Sequence, residues 1–147
     1  MVNVHDVAAY ILEHRGSMSA MKLQKLVFYS QAWHLVWDDE PLFPEQIQAW
    51  ANGPVAPALY AQHRGRFVVD RWALGKSTSL TDAQRETIDA VLDYYGEREA
   101  FWLSELTHRE QPWLGARGGL SPGARSDREI TQAAMAEYYG GLNASDD

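Results

Sequence analysis

The sequence predicts a mainly α-helical fold: a compact bundle around a central buried helix at about residues 20–37, with a small two- or three-stranded β element. Three observations favour it. The 147 residues are the usual length of one domain, helical periodicity recurs along most of the chain, and segment 20–37 is apolar on two opposite faces. We expect a single domain over 1–147, with its core at about 4–139 and a flexible tail over 140–147.

A first amphipathic helix is predicted over residues 4–15. Asn3 is a suitable N-cap, and Gly16 is a suitable stop. The apolar positions are spaced by three and four residues, as on one face of a helix: Val4, Val7, Ala8, Ile11 and Leu12.

The central helix is predicted from Ala20 to Trp37, behind Ser17 or Ser19 as the N-cap. A helix that is apolar on two sides is packed by neighbours on both. Lys22, Gln24 and Gln31 leave narrow polar edges, and Lys25 interrupts one apolar face. The two faces are Leu23, Leu26, Val27, Ser30, His34 and Trp37, and, opposite, Met21, Phe28, Ala32, Leu35 and Val36.

The small β element is predicted after this helix. Apolar and polar residues alternate over 46–51, which is the period of a strand. Residues 52–54, Asn-Gly-Pro, predict a turn, and Pro57 opens a short helix that reaches about His63. The β-branched residues in 66–69 predict a second short strand.

Three further helices are predicted in the second half. A capping box from Thr81 to Gln84 opens a helix that ends at Gly96, and a shorter helix follows over about 98–106. The glycine-rich stretch 115–126 predicts a loop. A second capping box, over 126–129, predicts a last helix that ends at about Tyr139.

The composition excludes several function classes. Without cysteine the chain has no disulfide framework, thiol nucleophile or thiolate metal site. A formal net charge of −7 argues against nucleic-acid binding driven by charge. The five histidines lack zinc-ligand spacing, so we expect no metal and no cofactor. The amino terminus lacks a secretory signal and its longest apolar run is 7–12, so we expect a cytoplasmic protein that does not enter the membrane.

Two alternatives remain open from the residues alone. Thr107 and His108 with Glu110 resemble the parts of a hydrolytic site, although a histidine at a helix end is more often a structural anchor. The order helix, helix, small sheet resembles a winged-helix DNA-binding regulator of its own operon. Only a local basic patch favours that alternative: Arg64, Arg66, Arg71 and Lys76.

Two strings carry a family resemblance: Met-Lys-Leu-Gln-Lys-Leu-Val-Phe-Tyr-Ser-Gln-Ala-Trp at 21–33 and Ala-Trp-Ala-Asn-Gly-Pro-Val-Ala-Pro-Ala-Leu-Tyr at 49–60. Together they resemble the Panacea antitoxin domain family, which includes SocA-like and phage-associated GepA-like proteins. Thr107-His108 with Pro112-Trp113 resembles a downstream segment of that family, so the similarity spans about 4–139.

The resemblance implies a mostly helical, non-enzymatic antitoxin that neutralises a toxin from the same operon by direct protein–protein binding. For the SocA branch it also implies an adaptor role that delivers the toxin to the ClpXP protease. A homodimer is the default expectation for an aromatic-rich surface.

A partner-binding surface is predicted around the turn at 52–54. Asn52 and Gly53 tolerate a positive φ, and the two prolines on either side of Val55 stiffen the chain, so the neighbouring aromatic rings lose little freedom on binding. The chain has enough aromatic residues to supply such anchors as well as a core: six Trp, seven Tyr and four Phe. The predicted partner-binding residues are Trp50, Asn52, Gly53, Pro54, Tyr60, Thr107, His108 and Trp113.

Overall fold

The computed structural model describes residues 1–145, and within that range most of the chain is α-helical. The helices are α1 (Val4–Arg15), α2 (Ala20–Asp38), α3 (Pro57–His63), α4 (Asp82–Tyr95), α5 (Ala100–His108), α6 (Gln111–Arg117) and α7 (Gln132–Ser145). The strands are β1 (Met18–Ser19), β2 (Ile47–Trp50), β3 (Gly53–Val55), β4 (Val68–Val69) and β5 (Glu129–Ile130), and a 3₁₀ turn spans Ser77–Ser79. The predicted mainly α fold with a small β element is confirmed.

The first helices begin and end where the sequence places them. The Asn3 side chain accepts hydrogen bonds from the first turn of α1, and Gly16 ends that helix at a positive φ of 76°. Ser19, rather than Ser17, caps α2 by accepting from the Lys22 backbone N–H at 3.1 Å. The Thr81–Gln84 capping box of α4 also forms.

Helix α2 is the centre of the molecule, and it packs against α1, α4, α5, α7 and β3. Of its three predicted polar edges Lys22 is partly exposed, but Gln24 and Gln31 are buried, and so is Lys25. The glutamines are buried at low cost because backbone groups satisfy them. Gln31 accepts from the Leu42 N–H at 2.7 Å and donates to the Phe43 carbonyl at 2.8 Å.

The β element consists of two small antiparallel sheets. One pairs β1 with β4, and the other has the order β3-β2-β5. Gly53 and Pro54, predicted as part of a turn, instead pair with Trp50 and Ala49 in a β-hairpin whose loop is 51–52. A proline is tolerated there because β3 is an edge strand.

The carboxy-terminal third departs from the sequence prediction in three places. The loop predicted from 115 begins later, because α6 continues to Arg117. Residues 126–129 do not cap a helix: Glu129 pairs with Gln48 in β5, and α7 starts at Gln132. Helix α7 then runs through Gly140 and Gly141 to Ser145, so residues 140–145 of the predicted tail are helical. Residues 146–147 of that tail lie outside the described residues.

A buried carboxylate joins three helices on the side of α2 near α7. The Tyr29 and Tyr139 hydroxyls both donate to Glu110 Oε1 at 2.7 Å. Tyr29 also stacks on Tyr95 with ring centroids 4.1 Å apart. Burial raises the pKa of the Glu110 carboxyl, and the two hydroxyl donors oppose that rise. Glu110 thereby fixes the segment that joins α5 to α6.

Candidate functional site

A cavity of about 600 Å³ lies between α2, the β2–β3 hairpin, α3 and the loop that precedes β5. Buried side chains of Gln24, Lys25 and His63 line its inner part. More exposed side chains of Trp50 and Tyr60 line it closer to the solvent. It therefore combines an aromatic entrance with a polar interior.

The aromatic entrance is built by the hairpin and α3 together. The Trp50 and Tyr60 rings meet edge to face with centroids 4.8 Å apart. Trp50 is oriented at both ends, because its Nε1 donates to Gln48 Oε1 at 2.8 Å and its carbonyl accepts from Trp113 Nε1 at 2.8 Å. Tyr60 also packs its edge against His63. Rings held in this way lose little entropy when a partner covers them.

Gln24 attaches the start of α3 to the central helix. Its Oε1 accepts from the Ala56 N–H at 2.9 Å, so its amide nitrogen faces His63 Nε2 at 3.0 Å. An amide N–H can only donate, so His63 Nε2 must carry a lone pair. Burial also lowers the pKa of His63. His63 is therefore held neutral, as a hydrogen-bond acceptor inside the cavity.

Lys25 is the unusual group in this cavity. Its side chain is almost completely buried, with 1% of the residue exposed. Within residues 1–145 no carboxylate pairs with the amine and no acceptor hydrogen-bonds to it. Burial alone lowers the pKa of the amine to about 8. The cavity thus contains an ammonium group without a counter-charge.

The hairpin is shaped to cover the Lys25 side chain. Gly53 has a φ of 124°, and a Cβ at that position would lie 2.6 Å from Lys25 Cε. Only glycine adopts that φ readily, and only glycine leaves room for the lysine chain. Glycine at position 53 is therefore required by the backbone conformation, and a Cβ there would also displace the end of the Lys25 side chain.

The outer wall of the cavity is a loop held by a buried arginine. Arg117 is 2% exposed, and its guanidinium carbon lies over the Trp113 ring, 4.8 Å from the ring centroid. Its nitrogens donate to four backbone carbonyls, which belong to Ala49, Ser121, Pro122 and Ala124. Because the loop carries Arg125 and Asp127 to the cavity, Arg117 sets the position of that wall.

One comparison with known proteins identifies the family. The family model described as "Antitoxin SocA-like, Panacea domain" matches residues 23–114, well over half of the chain. The chain belongs to this Panacea-domain family. No curated protein and no solved structure matches it. The matched range holds α2, the hairpin, α3 and the segment 107–113, so it includes most of the cavity of this Panacea domain.

The predicted partner-binding residues of the Panacea domain fall at two depths. Trp50, Asn52 and Tyr60 line the cavity and are at least partly exposed. His108 is half-buried beneath the hairpin, with its ring against Trp113. The others are buried: Gly53 and Pro54 belong to the hairpin itself, and Thr107 and Trp113 pack against it. Any contribution of these buried residues to partner binding acts through the exposed ones.

The parts of the suggested hydrolytic site do not come together. Thr107 donates to the Ser104 carbonyl at 2.8 Å, and Glu110 accepts from two tyrosines rather than orienting His108. The His108 Nε2 atom is buried and has no hydrogen-bond partner in the part of the chain described. Burial lowers the pKa of His108, and the nearby Lys25 charge lowers it further.

The predicted basic patch is exposed throughout. Arg64, Arg66, Arg71 and Lys76 are all solvent-accessible, and none forms an ion pair with a described residue. The described residues contain no group of three or more His, Asp or Glu side chains arranged to hold a metal ion. Over the same residues, no helix is both long and apolar enough to cross a membrane.

Sequence reasoning misses the interior of the cavity. Lys25 and Gln24 read as polar interruptions of an apolar helix, and Arg117 lies in what reads as a loop. One signal was available: a lysine in the middle of a helix that is apolar on two sides has no solvent-facing side to point toward. Such a residue predicts a buried cation.

Proposed function

We propose that this Panacea-domain protein neutralises a protein toxin by direct contact, and that the aromatic entrance of the cavity is part of the contact surface. The family is antitoxin-like. The observation that carries the placement is the rigid pair Trp50 and Tyr60 beside a cavity of about 600 Å³. Aromatic anchors beside a concave site are the residues that dominate protein–protein affinity.

A further exposed ring extends this surface. Phe67 is 82% exposed, and its carbonyl accepts from the Ala20 N–H at 2.9 Å. That bond holds the Phe67 backbone against Ala20, the residue before Met21, and Met21 is exposed and lines the cavity. Exposed apolar side chains that gather around a concavity mark interaction sites.

Co-expression tests the neutralising role. The adjacent gene is induced in a plasmid host with and without this protein, and growth and co-purification are measured. We expect growth to be restored and a stable complex to form. A harmless neighbour, or toxicity that this protein does not relieve, would contradict the proposal.

Alanine variants test the surface. Trp50→Ala and Tyr60→Ala should weaken the complex, each by a factor of about 30 or more if the ring is an anchor that contributes 2 kcal/mol. Tyr94→Ala is the matched control, because Tyr94 is 70% exposed on α4 and does not line the cavity. If the cavity variants fold and bind as the control does, the surface lies elsewhere.

The adaptor role is the second part of the proposal. If the protein delivers its toxin to ClpXP, the half-life of the toxin should shorten only when both this protein and the protease are present. A toxin that is neutralised at constant half-life would leave sequestration as the mechanism.

A DNA-binding regulator is the alternative, and the observation that favours it is the four exposed cations from Arg64 to Lys76, none of which forms an ion pair within residues 1–145. Binding through phosphate contacts weakens steeply as salt rises. Titration of the promoter fragment of its own operon at two salt concentrations measures this. Absence of salt-sensitive affinity would remove the alternative.

A further inference from the structure

The cavity holds a cation whose counter-charge is missing. The Lys25 ammonium is buried, lines the cavity, and forms no ion pair or side-chain hydrogen bond within residues 1–145. Buried charges in proteins are normally paired. An unpaired one that opens into a cavity can be paired by an anion from outside.

The remaining charged groups leave the positive charge in excess. Arg125 and Asp127 face the cavity from the loop before β5, and both are exposed. His63 on α3 and His108 on α5 have lowered pKa values and are neutral at pH 7. Asp127 is not bonded to Lys25 and does not contribute to its pKa shift. With a pKa of about 8, the Lys25 amine is protonated at pH 7 in about ten molecules for each neutral one.

The lining also defines the shape of the anion. The apolar surfaces of Trp50, Tyr60 and Val55 line the cavity together with the amine, so an anion that fills the cavity is carried on an apolar stem. Gln24 cannot serve as a second donor to it, because its amide is already engaged with Ala56 and His63. One anionic group carried on an apolar body fits this arrangement.

We propose that the cavity is a receptor for a carboxylate carried by the bound toxin, an Asp or Glu side chain that reaches Lys25 while a neighbouring apolar side chain packs on Trp50 and Tyr60. The identity of the carboxylate's source, a bound toxin, rests on the proposed function. The affinity of the cavity for a carboxylate is argued from the cavity alone. The charge pair forms only in the complex, where each charge relieves the burial cost of the other.

The chemistry is tested on the protein alone with 3-phenylpropanoate and its uncharged amide as probes. The Lys25 side-chain resonances are followed by NMR of ¹³C-lysine-labelled protein. We expect the carboxylate to bind in roughly the millimolar range, to shift the Lys25 signals and to raise the pKa of Lys25 above about 8. The amide should do neither. If carboxylate and amide bind alike, or if Lys25→Met binds the carboxylate as the wild type does, the anion site is wrong.

The proposal that the carboxylate comes from the toxin is tested with the product of the adjacent gene. Lys25→Met should weaken the toxin complex by about 30-fold or more, as for loss of one member of a buried charge pair. Lys22→Met is the matched control, because Lys22 is on the same helix and outside the cavity, and it should bind as the wild type does. Asp127→Asn should leave the pKa of Lys25 unchanged.

The outcomes separate the two proposals. If the probes behave as expected but Lys25→Met binds the toxin normally, the proposal that a toxin carboxylate reaches Lys25 is overturned, and the proposed neutralising role is unaffected. If the wild type does not bind the toxin but responds to 3-phenylpropanoate, the neutralising role fails, and the toxin as source fails with it. The carboxylate chemistry of the cavity then stands on the probe result alone.

Discussion

Replacing Lys25 with methionine should stabilise the isolated protein. Methionine has nearly the length of the lysine stem and keeps the contact with Gly53, but it carries no charge into the interior. Burial lowers the pKa of Lys25 from its ordinary value of 10.5 to about 8. That shift corresponds to about 3 kcal/mol of cost for the charged amine in the folded state.

The pH dependence of this gain follows from the same shift. Between pH 8 and 10.5 the unfolded chain binds the lysine proton more strongly than the folded protein does. The wild type therefore gains stability relative to Lys25→Met as the pH rises through that window. The stabilisation of the variant should be full at pH 7 and nearly absent at pH 10.5.

Urea denaturation at several pH values, with thermal melts at pH 7, measures both effects. About 3 kcal/mol should raise the melting temperature by roughly 6–12 °C for a chain of this size. Lys22→Met, whose side chain is only half-buried, should leave stability within about 0.5 kcal/mol of the wild type. A variant less stable than the wild type at pH 7, or a gain that does not shrink toward pH 10.5, would refute the reasoning.

The remaining predictions concern the frame around the cavity. Gly53→Ala should cost about 2–4 kcal/mol, because it forces a side chain into a φ of 124° and against Lys25, and the urea midpoint should fall accordingly. Arg117→Met should cost about 2–3 kcal/mol by leaving buried carbonyls unpaired, and limited proteolysis should then cut between 118 and 128 before the rest of the chain. Stability should fall as the pH drops below the ordinary histidine value of 6.5, because His34, His63 and His108 all have lowered pKa values and protonate more readily in the unfolded chain. His63→Gln should remove the His63 part of that slope.

The helices and their ends were largely available from the sequence. Asn3 and Thr81 cap the helices they precede, and Gly16 ends α1, because these residues act through bonds to their own neighbours. Local chemistry of this kind needs no knowledge of the rest of the fold. The same local signal failed at 126–129, where pairing of Glu129 and Ile130 with β2 competes with helix initiation and prevails.

The interior of the candidate site could not be predicted from the sequence, because it is formed by contacts between residues that are distant in sequence. Arg117 reaches Ala49, and Gln24 reaches Ala56 and His63. Nothing in the residues around 117 indicates that a glycine-rich stretch folds back onto a hairpin 68 residues earlier. The exposed part, Trp50 and Tyr60 beside a fixed hairpin, was predictable because it lies within one short segment.

Three of the side chains that hold distant segments together hydrogen-bond to backbone atoms of those segments. Gln31 bonds Leu42 and Phe43 through their main chains, Gln24 does so at Ala56, and Arg117 does so along its loop. Mutation of the residues they hold therefore leaves those hydrogen bonds in place. A scaffold of this kind keeps the positions of its outer segments when the side chains of those segments are replaced.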